Sequence, residues 1–147
     1  MRELVVFVDE SWEPNDLSVA PSLIQVGRNL ANLRWLRWAI TRHFRSQGLQ
    51  VHMRSIKLGN VAIDGEVEGK GWKIALELKT PRDDVTRGIG QLAEALAYGY
   101  NRVALVTTLR AAKDIDARVF DKLGLVLLGV DSKGNVQQVY PTYSSSR

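Results

Sequence analysis

The chain has 147 residues, of which 45% are hydrophobic and 24% are charged, and this is the composition of one ordinary globular domain. It contains no cysteine, which excludes disulfides and thiolate metal sites, so a metal ion would have carboxylate, imidazole or carbonyl ligands. The formal net charge of +4 is only a mild indication of a polyanionic partner.

The chain begins with a short β-branched run, Leu4–Val8, which predicts a strand. An acidic, turn-like stretch follows at Asp9–Asp16, and we interpret it as a solvated loop or a helix cap unless one of its carboxylates joins a site elsewhere. Residues 1–20 are thus expected to form an N-terminal extension. There is no signal-like N-terminus, and the apolar run Leu123–Val130 is far shorter than the roughly 20 residues that span a bilayer. We therefore expect a cytoplasmic protein with no membrane partner.

The longest helical pattern runs from Pro21 to Gln47. It is expected to begin after Pro21 or after Gly27 and to end before Gly48, because glycine commonly follows a helix C-terminus. Apolar residues recur at spacings of three and four and predict the buried stripe, which consists of Leu30, Leu33, Leu36, Ile40 and Phe44.

The other side of this helix is basic and aromatic, and no carboxylate occurs between Asp16 and Asp64. One arc collects Arg34, Trp35, Trp38, Arg42 and Arg45. Guanidinium groups alternating with indoles suit contact with phosphates and stacking on bases, which predicts a DNA-binding surface. Alternatively, the tryptophans pack under the N-terminal segment or in a dimer contact, and the arginines are merely solvated.

Three strands are predicted next. Leu49–Leu58 has β character, Gly59-Asn60 forms a turn, and residues 61–68 and 72–79 form a hairpin around Gly69-Lys70-Gly71. The order so far is one helix followed by three strands.

The register of this hairpin brings charges together. If Lys70-Gly71 is the turn, Asp64 lies opposite Glu77 and Lys79 lies opposite Ala62. Four charged side chains would then project from one face, namely Asp64, Glu66, Glu77 and Lys79. Carboxylates that face each other across a sheet are destabilising, so we expect a cation between them. Otherwise the face is simply solvated.

The second half of the chain alternates between helix and strand. Residues 80–84 break the pattern, and Val85–Tyr98 resumes at helical period with Gly88 and Gly90, which indicate close approach of another backbone or of a phosphate. The elements expected after it are a strand Val103–Thr108, a helix Ala111–Lys122, a strand Leu125–Leu128, a turn Asp131–Asn135 and a strand Val136–Tyr140. Residues 141–147 are expected to form a flexible polar tail.

An aspartate followed by Glu-x-Lys at the end of an apolar strand resembles the motif of the PD-(D/E)XK nuclease superfamily. The residues are Asp64 and Glu77-Leu78-Lys79, with Gln91 in the next helix, where many members carry a glutamine. The size and the Asp-to-Glu spacing are similar to those of archaeal Holliday-junction resolvases. The resemblance implies an α/β fold with a restriction endonuclease-like core, a central mixed β-sheet flanked by helices in the order αβββαβ, in a single domain over residues 1–147.

The resemblance also implies a metal-dependent DNA endonuclease, which hydrolyses phosphodiester bonds. Asp64 and Glu77 would ligate Mg²⁺ or Mn²⁺, and the carbonyl of Leu78 or of Ala75 would supply another ligand. Lys79 would orient the attacking water or stabilise the phosphate, and Gln91 would position Lys79, the water or a phosphate. The residues predicted to contact the DNA are Arg34, Trp38, Arg42, Arg45, Arg82 and Arg87.

The chain departs from this pattern in one respect, because many relatives carry an acidic residue in the first helix and this helix has none. Either Asp64 and Glu77 suffice for one ion, or Glu66 or an acid from Asp9–Asp16 completes the set. Resolvases and many restriction enzymes place two sites by a two-fold axis, so we expect a homodimer, with Leu123–Val130 or the tryptophans as its contact.

Two other functions stay open. One is a non-catalytic nucleic-acid-binding module that uses the basic helix surface. The other is a structural or assembly protein whose basic helix meets an acidic partner. Divalent-metal binding separates the nuclease from both, and salt-sensitive DNA binding separates the binding module from the assembly protein.

Overall fold

The computed structural model describes residues 29–81 and 83–141. These residues form four helices, a 3-10 turn and eight strands, joined by loops. The helices are α1 (Asn29–Arg45), α2 (Val85–Ala95, continued by the 3-10 turn Leu96–Tyr98), α3 (Leu109–Lys113) and α4 (Ala117–Leu123). The strands are β1 (Gln50–His52), β2 (Ile56–Leu58), β3 (Val61–Ile63), β4 (Gly65–Gly69), β5 (Trp72–Leu78), β6 (Arg102–Thr108), β7 (Val126–Val130) and β8 (Val136–Tyr140). The predicted strand Leu4–Val8, the Asp9–Asp16 loop, Arg82 and the tail beyond Pro141 lie outside the described residues.

Six strands form one mixed sheet in the order β1-β4-β5-β6-β7-β8, and β2 and β3 form a separate two-stranded sheet. Neighbours at the two edges are antiparallel, whereas β5, β6 and β7 are parallel. The centre of the sheet is covered on both faces, because every residue of β6 from Val103 to Thr107 is buried.

The two faces of the sheet carry two hydrophobic clusters. Leu76 and Leu78 of β5 point to the face that α1 covers, where they meet Leu36 and Ile40. Ala75 points to the opposite face, which α2, α3 and α4 cover. By strand alternation, Glu77 shares that second face with Ala75.

The helix prediction from Pro21 to Gln47 is confirmed at its end, because α1 stops at Arg45 and Gly48 has a φ of 81°. Its buried face is wider than the predicted stripe, since Trp38 and Ala39 are buried as well. No helix within residues 29–81 and 83–141 is long and apolar enough to span a membrane.

Two predicted strands are each divided in two. The prediction Leu49–Leu58 becomes β1 and β2, and the prediction 61–68 becomes β3 and β4. The chain leaves the main sheet after β1, turns at Gly59, where φ is 61°, and returns at Asp64. The excursion is stabilised by apolar burial under α2, because Ile63 is 1% exposed and belongs to the α2-side cluster.

The predicted helix Ala111–Lys122 is also divided. Thr108 caps α3 by accepting a hydrogen bond from the Ala111 amide, and Asp116 caps α4 by accepting one from the Arg118 amide. α3 ends at Lys113 with Asp114 as its C-cap, and Asp116, whose backbone is extended, then begins α4 as its N-cap.

Most of the apolar run Leu123–Val130 lies inside the domain rather than on a contact surface. Leu125, Leu127 and Leu128 are at most 5% exposed. These three leucines are therefore unavailable for the predicted dimer contact, because they already pack in the two hydrophobic clusters. A contact through Leu123, which is 40% exposed, stays a prediction.

Candidate functional site

The hairpin β4–β5 has the predicted register, with Gly69 opposite Trp72 and Gly65 opposite Leu76. The Asp64 amide extends the pairing by donating to the Leu76 carbonyl at 3.0 Å. The Asp64 side chain reaches across to β5, where its Oδ2 accepts a hydrogen bond from the Leu78 amide at 2.8 Å. The strand pairing thus fixes this carboxylate beside the end of β5.

Lys79 does not lie opposite Ala62 as predicted. Ala62 pairs with Lys57 in the small sheet, and the Lys79 amide donates to the Val106 carbonyl of β6 at 2.9 Å. The reason is that β3, which contains Ala62, pairs with β2 in the separate sheet and does not extend β4 alongside this end of β5.

Glu77 is the buried carboxylate of the site, with 3% of its surface exposed. Its Oε2 lies 3.5 Å from Lys79 Nζ, and its Oε1 is buried with no hydrogen-bond partner among the described residues. Burial, and next the negative charge of Asp64, raise the pKa of Glu77 to about 8, although Lys79 acts in the opposite direction. One lysine therefore does not compensate the two carboxylates.

Gly88 of α2 makes room for the Lys79 side chain. A Cβ at this position would fall 2.8 Å from Lys79 Cε and 3.3 Å from Leu105 Cδ1. The group that approaches Gly88 closely is a side chain, not the predicted backbone or phosphate. No protein atom would lie within 4 Å of a Cβ at Gly90, so a backbone does not approach there, and the approach of a phosphate stays a prediction.

These two glycines form a matched pair for a test. Gly90→Ala is expected to raise the free energy of unfolding by about 0.5–1 kcal/mol, because alanine loses less backbone entropy than glycine in a helix. Gly88→Ala should lose part of that gain, because its methyl group pushes the Lys79 ammonium away from Glu77. Urea unfolding of both variants measures the difference, and equal stabilisation would contradict the packing of Lys79 against α2.

Gln91 does not reach Lys79 through its amide nitrogen, which donates to the Ala62 carbonyl of β3 at 2.9 Å. Its Oε1 is buried and has no hydrogen-bond partner among the described residues. Gln91 therefore ties α2 to the segment that leads into Asp64. Its predicted action on a water or a phosphate, through Oε1, stays a prediction.

Glu66 belongs to a second polar group rather than to the Asp64–Glu77 pair. Its Oε1 accepts from the Tyr100 hydroxyl at 2.6 Å, and it lies opposite His52 in the β1–β4 pairing. His52, Glu66 and Glu68 bring one ligand atom each to within 4.8 Å of one another, so they could hold a metal ion. No spacing in the sequence indicates this group, because His52 comes close only through the pairing of β1 with β4.

The basic surface of α1 is smaller than predicted. Trp38 is 3% exposed and packs in the core, so the prediction that it stacks on DNA is wrong. Arg42 lies over its ring at 4.4 Å, and Arg42 Nη2 donates to the Gly134 carbonyl at 3.3 Å, which engages this guanidinium within the domain. Arg34, Arg45 and, on α2, Arg87 are exposed.

Two groups of side chains could thus hold a divalent cation, one being His52, Glu66 and Glu68 and the other Asp64 and Glu77. At the end of β5, Glu77 Oε1 lacks a partner among the described residues, and Asp64 has one oxygen bonded to the Leu78 amide, so Asp64 and Glu77 fit such an ion. The predicted Leu78 carbonyl ligand stays a prediction. α1 contains no acidic residue, and Glu66 is engaged with Tyr100, so neither supplies a third carboxylate here.

Comparison with known proteins gives likeness of fold alone. No protein-family model matches the sequence, and no curated protein matches it. An XisH family protein from Nostoc punctiforme is 19% identical, with a TM-score of 0.51 over 68% of this chain and 94% of that chain. A protein of unknown function from Silicibacter pomeroyi is also 19% identical, with a TM-score of 0.53 over 69% of this chain and 64% of that chain.

A third structure, SfsA from Pyrococcus furiosus in complex with Ca²⁺, is 15% identical over 73% of this chain and 60% of that chain. Its TM-score of 0.44 is too low to support an inference about the site. The predicted fold class is confirmed: the domain has a restriction endonuclease-like core, with a central mixed sheet flanked by helices.

Proposed function

We propose that this protein is a metal-dependent DNA endonuclease that uses Asp64, Glu77 and Lys79. The observation that carries the proposal is the arrangement at the end of β5. A buried glutamate, one of whose oxygens has no partner among the described residues, lies beside an aspartate and 3.5 Å from a lysine ammonium. Buried carboxylates are normally paired or bound to a metal ion, and Lys79 lies next to only one of the two Glu77 oxygens, so a bound metal ion would satisfy the other. The resemblance of Asp64 and Glu77-Leu78-Lys79 to the PD-(D/E)XK motif supports the same function.

Each residue has a distinct role in this proposal. Asp64 and Glu77 would hold Mg²⁺ or Mn²⁺, which supplies positive charge at the scissile phosphate and makes water more acidic. Lys79 carries the permanent positive charge of the site, and its ammonium donates to the phosphate or orients the attacking water. Gln91 holds β3 through Ala62 and so fixes the approach of Asp64.

The proposed reaction is tested by incubating the protein with Mg²⁺ or Mn²⁺ and a panel of single-stranded, duplex, flap and four-way DNA. Cleavage that EDTA abolishes supports the nuclease. Binding that depends on salt, without cleavage of any substrate, would favour the non-catalytic binding module instead. Binding of neither DNA nor metal would leave the assembly protein. Light scattering at micromolar concentration tests the proposed homodimer against the 16.4 kDa monomer.

Arg34, Arg45 and Arg87 are the proposed partners of DNA phosphates among the described residues. Replacing Arg34 and Arg45 together by alanine is expected to weaken DNA binding and to flatten its salt dependence, by about 0.9 in slope for each phosphate that is no longer neutralised. The matched control is Lys122→Ala, which removes an exposed charge from α4. An unchanged slope in the arginine variant would place the DNA on another surface.

A further inference from the structure

A groove of about 620 Å³ opens where β6 and β7 end, and the catalytic role proposed above does not use it. Trp35 of α1 forms one side, and Leu109 and Val130 supply apolar surface. Arg110 and Lys113 of α3 and Asp131 and Ser132 of the β7–β8 turn complete the lining. An aromatic ring, apolar walls and two cations are combined at one opening.

The groove lies at the same end of the sheet as Lys79. The Lys79 amide donates to the carbonyl of Val106, and Thr108, two residues further along β6, lines the groove. A second hollow of about 390 Å³ adjoins it and is lined by Pro81, Thr108 and Arg110. Thr108 and Arg110 line both hollows, so the surface continues from the segment after Lys79 to Trp35.

The tryptophan in the groove is held in position by the core. The ring centroids of Trp35 and Trp38 are 5.0 Å apart, and Trp38 is buried with Arg42 over its ring. The shape of the groove is also fixed by Gly129, where a Cβ would fall 2.8 Å from the Leu109 backbone. A fixed aromatic ring beside an apolar wall suits a flat ring ligand, because stacking then requires no rearrangement.

The charges decide the chemistry of that ligand. Arg110 and Lys113 are exposed cations, whereas Asp131 is an anion that its own turn already uses, because Oδ1 accepts from the Lys133 and Asn135 amides at 2.9 Å. Those hydrogen bonds lower the pKa of Asp131, with the Asn135 amide as the largest cause, so the carboxylate is ionised at neutral pH. The rim therefore carries a net positive charge, which complements a phosphate attached to the ring.

We propose that this groove binds one unstacked nucleobase of the DNA strand on Trp35, with its flanking phosphates on Arg110 and Lys113. The proposal rests on the proposed nuclease function and names its substrate class, a strand with an unpaired base beside the cut. Base–aromatic stacking contributes about 1–3 kcal/mol per base, which corresponds to roughly 5- to 150-fold in affinity.

The test is a double-mutant cycle, in which Trp35 is changed in the protein and the bases are removed from the DNA. Binding of single-stranded 12-mers is measured by fluorescence anisotropy in EDTA. One oligonucleotide is oligo-dT, and the other is abasic throughout. Trp35→Leu should weaken binding of oligo-dT about tenfold and leave binding of the abasic strand unchanged, and Trp35→Phe should restore most of the affinity. An equal weakening with both strands would overturn the proposal, since Trp35 would then act only through folding or phosphates.

A second variant avoids the core. Ser132 is exposed in a turn, so Ser132→Trp should fold normally and fill the groove from outside. It is expected to reduce oligo-dT binding and to spare the abasic strand, and unimpaired oligo-dT binding would overturn the proposal. None of these binding measurements requires cleavage. If the variants weaken binding of oligo-dT but not of the abasic strand, and the protein cuts no DNA, the base site stands and the nuclease proposal fails. If the protein cuts DNA but the variants affect both strands equally, the nuclease proposal stands and the base site fails.

Discussion

Glu77→Gln is expected to lower the rate of DNA cleavage by about three orders of magnitude or more, while DNA binding in EDTA is retained. The substitution keeps the size of the side chain and removes the charge that would hold the cation. Glu77 is 3% exposed, so the variant does not alter a surface that DNA contacts directly. Single-turnover cleavage with saturating Mg²⁺ measures the change in rate, and anisotropy measures the binding.

The matched control is Glu68→Gln, which neutralises a glutamate of the same hairpin in the His52, Glu66 and Glu68 group. If the ion needed for cleavage sits at Asp64 and Glu77, this control should cut at close to the wild-type rate. The opposite outcome, an active Glu77→Gln variant and an inactive Glu68→Gln variant, would move the metal site to the edge formed by β1 and β4.

The local part of the fold could be predicted from the sequence because it depends on neighbours along the chain. The hairpin register followed from Gly69-Lys70-Gly71, and the pairing of Gly65 with Leu76 confirms it. The division of Leu49–Leu58 could not be predicted, because a β-branched segment pairs equally well with several partners. Packing under α2 selects the partner, and that packing is set by residues far along the chain.

In the candidate site, too, the features set by residues close in sequence could be predicted, and those set by long-range packing could not. Asp64, Glu77 and Lys79 do lie together near the end of β5, since a two-residue period and one turn bring them there, but the predicted partner of Lys79 was wrong. Trp38 was misplaced because helical periodicity gives the direction of a side chain and not what covers it. Here the covering group is the β7–β8 turn, where a Cβ at Gly134 would fall 2.3 Å from the Trp38 ring.

In the absence of divalent metal, the protein is expected to lose stability as the pH rises from about 4.5 to about 8. The pKa of Glu77 is raised from 4.5 to about 8, mainly by burial and next by the charge of Asp64. In this window the folded protein holds a proton that the unfolded chain has released. The stability that this proton contributes is fully present below about pH 4.5 and is lost as the pH passes through about 8.

Up to roughly 3–5 kcal/mol of the free energy of unfolding would be lost in this way, since a tenfold change in proton affinity corresponds to about 1.4 kcal/mol. Urea unfolding in EDTA from about pH 4 to about pH 9 measures it, with Glu77→Gln as the control that cannot ionise. Other groups, such as His43 with its lowered pKa, act on both proteins, so the difference between the two curves isolates Glu77.

Saturating Mg²⁺ should restore the wild-type stability at about pH 8, because a bound cation stabilises the ionised carboxylate. Parallel curves in EDTA would show that Glu77 titrates normally in the folded protein, and an absence of any Mg²⁺ effect would remove the cation from this pair of carboxylates.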